Sequence, residues 1–188
     1  MTQKTIQPDA AAGKDSYISD GASADTNYGT AGLALGYRTV TGKNQMSLLQ
    51  FDLSNIPFNS KIISAILSIY ANSTDEGEAG NRTYGIYRNT ADWTESTVTW
   101  NTAPAISSVY TTTVINANTT GFKDFDVKTL IQEWINKTYS NYGVTIKNAT
   151  AGQAPNMNYD SSDGATEAQR PKLVINYINQ GNFFIFTT

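Results

Sequence analysis

Three pairs of carboxylates stand close together along the chain: Asp92 with Glu95, Asp124 with Asp126, and Asp160 with Asp163. Two carboxylates flanking a glycosidic bond can serve as acid and base. Each pair also has a local use. Asp92 and Glu95 lie in a loop where carboxylates accept backbone N–H groups. Asp126 is placed to cap a helix, and Asp160 and Asp163 fall in a Ser-Gly turn. The sequence has no histidine and no cysteine. That removes the commonest general base, the commonest metal ligand, every thiolate, and any Ser-His or Cys-His nucleophile. No catalytic residue is therefore expected. A lyase working through Tyr with Arg or Lys is the remaining enzymatic alternative.

Aromatic rings are the second source of chemistry, because an apolar ring face can cover the C–H face of a sugar. The chain holds 3 Trp and 11 Tyr. Trp134 shares a helical face with Leu130, and Trp93 and Trp100 flank a loop motif, so all three are expected to be buried and structural. Tyr84, Tyr110 and Tyr139 are left as ligand-binding candidates on the surface. Asp160-Ser161-Ser162-Asp163-Gly164 matches no calcium-ligand spacing well. No cofactor is expected, with a structural calcium kept as an alternative. Asn72, Asn81, Asn118, Asn136 and Asn148 head Asn-X-Ser/Thr triplets, as chance provides in so Asn- and Thr-rich a chain.

The elements that must position these residues are mostly strands. Residues 1–14 form a polar arm. Asp15 to Ile18 starts the strands, followed by a long loop from Ser19 to Gly32. Leu33, Leu35 and Tyr37 alternate with small residues, and Leu49, Phe51 and Leu53 share a face. The clearest strand runs from Ile62 to Ala71, with Ile63, Ala65, Leu67, Ile69 and Ala71 on its core face. Thr83–Tyr87, Val109–Ile115, Phe122–Phe125, a stretch opened by Asn141-Tyr142-Gly143 and running to Lys147, and Lys172–Tyr177 follow. Asp92 to Pro104 reads as an ordered crossing loop. One helix is expected after Asp126, where Leu130, Ile131, Trp134 and Ile135 share a stripe. Eight to ten short strands with long crossing loops predict an all-β, jelly-roll-like sandwich with one short helix, spanning residues 15–178. Residues 179–188 form an apolar tail containing Phe183, Phe184, Ile185 and Phe186.

Composition sets the remaining bounds. The chain has 188 residues, 15% of them charged, and a formal net charge of −3. Nothing basic enough for nucleic acid is clustered. No run of about 18 apolar residues exists to span a membrane. The first 13 residues lack the apolar run of a signal peptide. The expected setting is therefore a virion or the extracellular space, reached as an excised module, by lysis, or within a particle.

Several segments together resemble the DNRLRE (disaggregatase-related) family, which is grouped with carbohydrate-binding modules of polysaccharide lyases. They are Asp15-Ser16-Tyr17-Ile18, Asn27-Tyr28-Gly29, the run from Leu48 to Pro57, and Ser64 to Tyr70. Ile86-Tyr87-Arg88, the run from Trp93 to Pro104, Phe125-Asp126-Val127 and Leu130 to Trp134 continue the series, and Asn141-Tyr142-Gly143 and Arg170 to Leu173 complete it. Gln45 and Met46 stand where the family usually has Arg, and the acronym motif is absent. The resemblance implies a β-jelly roll and includes domains of cell-surface, secreted and phage structural proteins. Two non-enzymatic readings follow. The first is a virion or particle surface subunit (decoration, fibre or tail-associated) that meets other protein subunits through both termini, with Phe183 to Phe186 as the assembly element. The second is a carbohydrate-binding module of a secreted enzyme, meeting polysaccharide.

Overall fold

The computed structural model describes residues 1–36, 44–74, 80–149 and 157–181. Among them are eleven strands: β1 (Thr2–Ile6), β2 (Asp15–Ser19), β3 (Leu33–Leu35), β4 (Gln45–Leu49), β5 (Lys61–Ala71), β6 (Asn81–Asn89), β7 (Ile106–Asn116), β8 (Gly121–Asp126), β9 (Val144–Asn148), β10 (Met157–Tyr159) and β11 (Lys172–Ile178). One α-helix, α1 (Lys128–Ile135), joins β8 to β9. The strands build two antiparallel sheets, and the chain alternates between them from β1 to β6. This is the expected all-β sandwich with a single short helix.

One sheet has five strands in the order β2-β4-β9-β6-β7. The other is organised on β5, whose eleven residues pair with β11 and β10 along one edge and with β8 along the other. Apolar residues at alternate positions put Ala65, Leu67, Ile69 and Ala71 of β5 in the core with Leu173 and Ile175 of β11. Near its start β5 departs from simple alternation. Ile62 is buried and Ile63 only half-buried, because the register with β11 shifts between Asn176 and Tyr177. An extra residue at a β-bulge turns the strand over, so the inward side chain there is Ile62.

Within residues 1–14, read from the sequence as a polar arm, Thr2–Ile6 is tied down as a strand. β1 pairs with β11 from Thr2 opposite Tyr177 to Ile6 opposite Leu173. Its side chains are almost all exposed, so backbone hydrogen bonds hold it. The Gln7 amide adds bonds to the carbonyls of Glu167 and Arg170, both 3.0 Å. Phe51 and Leu53 are buried as expected, yet they follow the end of β4 as loop residues. α1 begins at Lys128, whose N–H donates to Asp126 Oδ1 at 2.9 Å; it buries Leu130, Ile131 and Ile135 on the core. No helix of the described residues is long and apolar enough to cross a membrane. The tail residues Phe183, Phe184, Ile185 and Phe186 lie outside the described residues.

A second, smaller core lies on the outer face of the five-stranded sheet. Ile18 and Leu48 point away from the main core and are covered by Trp93 and Val98 from the loop between β6 and β7. Met46, Trp100 and Ala103 pack at its margin. The loop thus covers the β2–β4 half of that face; beyond it Thr145 of β9 and Asn89 of β6 are still buried, Tyr87 and Lys147 are half-buried, and Val109 and Val114 of β7 are exposed.

Candidate functional site

Two similar devices hold the loop between β6 and β7 and the segment before β9. Asn27 and Asn141 each begin an Asn-Tyr-Gly triplet, and both side chains do the same work. The Asn27 amide donates to the carbonyls of Glu95 (2.7 Å) and Val98 (2.8 Å), while its oxygen accepts the Gly29 N–H at 3.2 Å. The Asn141 amide donates to the Phe51 carbonyl (2.9 Å), and its oxygen accepts the Gly143 N–H at 3.0 Å. In each triplet the glycine lies against a carbonyl. A Cβ on Gly29 would meet Glu95 O at 2.5 Å, and one on Gly143 would meet Leu49 O at 2.3 Å. Trp93 is buried and its indole N–H donates to the Tyr142 carbonyl at 2.9 Å. Trp100 and Trp134 are half-buried against the smaller and larger cores. Burial, expected for all three tryptophans, is found for Trp93 alone; Trp100 and Trp134 sit at the margins of the two cores with part of each ring exposed.

The carboxylates named in the sequence are engaged locally. Asp92 forms an ion pair with Lys14 at 2.8 Å and accepts the Trp93 N–H, and the Lys14 bond lowers its pKa. Asp124 accepts the Ser68 hydroxyl at 2.6 Å, and Asp160 accepts the Asn72 amide at 2.6 Å. The structure instead brings together Glu95 and Asp163, from two different pairs, with Asp15, which sequence reasoning passed over. Asp15 stands opposite Leu49 across β2 and β4, and directly opposed residues share a face. Strand parity with Ile18 pointing outward was the available signal for an inward Asp15. Of the segment Asp160 to Gly164, only Asp163 joins this group.

The three candidate tyrosines separate. Tyr84 is 0% exposed and belongs to the main core, so it is no surface platform. It shares strand parity with Ile86, and that alternation explains its burial. Tyr110 is half-buried and donates its hydroxyl to Glu133 Oε2 at 2.7 Å. Tyr139 is exposed, with the Arg88 guanidinium 3.9 Å over its ring. Arg88 Nε also reaches the Tyr110 oxygen at 3.4 Å, so Tyr110 and Tyr139 form one cluster around Arg88.

The β9–β6–β7 half of that outer face offers a different arrangement. Thr83, Gly85 and Tyr87 of β6 face outward, opposite Val114, Thr112 and Val109 of β7. Val109 and Val114 are exposed. A Cβ on Gly85 would sit 2.9 Å from Tyr87 Cε2, so the missing side chain lets the Tyr87 ring lie along the sheet. The Lys147 ammonium stands 4.7 Å from the centre of that ring. Lys147 pairs with Gly85 across β9 and β6, and it also lines a cleft with Gly36, Asn44, Gln45, Met46 and Trp100. This part of the face thus brings together a half-buried tyrosine ring, an ammonium group and a cleft lined by Trp100 and amide side chains. Sequence reasoning missed Tyr87 and Lys147 as surface groups, although the lone glycine between Tyr84 and Ile86 marks the place where a ring can lie down.

Comparison with curated proteins finds none that matches the chain. A family model does match, and its span takes in every motif segment described above. Over residues 7–177 the sequence fits carbohydrate-binding module family 96, and the chain belongs to that family.

Proposed function

We propose that this protein is a non-catalytic polysaccharide-binding module whose binding surface is the β9–β6–β7 half of the outer face of the five-stranded sheet. Family membership supports carbohydrate binding. The placement rests on one observation: Tyr87 laid over Gly85, beside Lys147 and the Trp100 cleft. A flat ring takes the C–H face of a pyranose, and the ammonium and amide groups meet its hydroxyls. Such a module works outside the cell, where polysaccharide is. The particle-subunit reading drew its proposed contacts from the two chain ends. Residues 2–6 meet their backbone partners in β11 of the same chain, and Phe183 to Phe186 lie outside the described residues, so no observation favours it.

The test is affinity electrophoresis against a panel of soluble polysaccharides, followed by calorimetry on those that retard the protein. Tyr87→Ala and Lys147→Ala should each weaken binding about tenfold or more while leaving the melting temperature close to wild type. Tyr139→Ala should bind normally. Full affinity in both sheet-face variants would move the site elsewhere on the molecule.

A further inference from the structure

We propose that Asp15, Glu95 and Asp163 bind a calcium ion at the place where β2, the β6–β7 loop and the turn after β10 meet. One carboxylate oxygen from each residue lies within 4.8 Å of the others. Three anionic groups so close repel unless a cation joins them. The Lys14 charge favours the Glu95 carboxylate, but its ammonium is bonded to Asp92.

The second, independent observation is Asp15 itself. It is 3% exposed, and its Oδ2 accepts the buried Ser162 N–H at 2.9 Å. Its Oδ1 is buried with no hydrogen-bond partner. A carboxylate oxygen removed from water without a donor is costly, and a bound cation removes the cost. The surroundings hold the group in place. Glu95 Oε1 accepts the Asp15 N–H at 2.8 Å, which leaves Oε2 for another partner. Gly13 permits the Ser162 approach, since a Cβ there would lie 2.1 Å from Ser162 Oγ. Burial pushes the Asp15 carboxyl up to about 6, and the charges of Glu95 and Asp163 push the same way, against the Ser162 bonds.

The donor set selects the ion. All three ligands are carboxylate oxygens, and the chain has no histidine or cysteine to favour zinc or copper. One ligand is buried, one half-buried and one exposed, which leaves an open side for water. Calcium accepts such irregular sets of six to eight oxygens, whereas magnesium requires a near-ideal octahedron. Asp15 and Glu95 are 80 residues apart in sequence, so the ion would link segments that are distant along the chain.

The experiment uses the full chain freed of metal by chelation, titrated with calcium or magnesium chloride and followed by calorimetry and thermal melting. Calcium should bind and raise the melting temperature, and magnesium should do so far less. Asp163→Asn, at an exposed position, should weaken calcium binding about tenfold or more without lowering the melting temperature of the chelated protein. Asp160→Asn, outside the cluster, should bind calcium like wild type. Absence of a calcium-induced shift, or equal calcium affinity in wild type and Asp163→Asn, would overturn the assignment. No glycan enters this experiment, so its outcome is separate from that of the polysaccharide test.

Discussion

Gly143 offers a measurable decomposition of why a glycine is required. It has φ +79°, and a Cβ built on it would stand 2.3 Å from Leu49 O and 2.9 Å from Gln50 Cβ. Gly143→Ala therefore meets two costs. The left-handed backbone costs an ordinary residue about 1–2 kcal/mol. The second cost is steric. The Leu49 carbonyl must retreat by roughly 1 Å to reach ordinary van der Waals contact, and overpacking of that kind typically adds about 1–3 kcal/mol. Leu49 cannot retreat freely, because it stands in the ladder between Asp15 of β2 and Val144 of β9. Gly121 supplies the control. It has φ +104° and nothing within 4 Å of a built Cβ, so Gly121→Ala meets the conformational cost alone. Urea unfolding at 25 °C, with free energies extrapolated linearly, should show Gly143→Ala losing about 1–3 kcal/mol more than Gly121→Ala at unchanged m. Equal losses would show that the carbonyl contact yields at no cost, and the reasoning from close approach would be wrong.

Trp93→Phe keeps a ring in the smaller core but drops the bond to the Tyr142 carbonyl, and should cost about 1–2 kcal/mol; Trp93→Ala should cost about 3–5 kcal/mol by the same denaturation assay. A Trp93→Ala variant as stable as wild type would mean that the loop is not anchored there. Asn27→Ala removes three hydrogen bonds and should destabilise the fold by about 2–3 kcal/mol, with hydrogen exchange rising first around Glu95 and Val98. Burial, and then the neighbouring Tyr28 stacked 4.0 Å away, raises the Tyr17 phenol to about 12. The folded state holds that proton more tightly than the unfolded chain, so this contribution is complete below pH 10 and is lost as pH rises from 10 to 12. Tyr17→Phe should flatten that part of the alkaline stability curve, and an unaltered fall would contradict the assignment.

Strand parity made much of the fold readable in the sequence. Alternation in β5 and β11 names most of the inward residues correctly, and the stripe of Leu130, Ile131 and Ile135 places the helix. Where the physics is not carried by side chains, the sequence is silent. Thr2 to Ile6 has one apolar residue, so nothing in its pattern announces a strand that backbone pairing alone holds on a sheet edge. The bulge in β5 exchanges the roles of Ile62 and Ile63, and two adjacent isoleucines give no hint of which points inward. Met157 to Tyr159 is too short to show a period. The carboxylate group was hidden for a related reason. Its members are distant in sequence, and only the pairing of β2 with β4 and the docking of two loops bring them together. The face proposed to bind polysaccharide was partly readable. Thr83, Gly85 and Tyr87 alternate with Tyr84 and Ile86, and the apolar Ile86 marks the inner set.

The antiparallel seam between β1 and β11 also determines how the domain answers to force. Thr2 lies beside Tyr177, so whatever is joined before the first strand and after the last departs from the same pole of the sandwich. Tension between those two attachments opens the seam like a zipper, one rung at a time, rather than shearing all its hydrogen bonds together. The exposed side chains of β1 add little resistance. Peeling β1 would pay out roughly 17 Å of slack at about 3.4 Å per residue, while β11 stays held to β5 by a longer ladder and by its buried side chains.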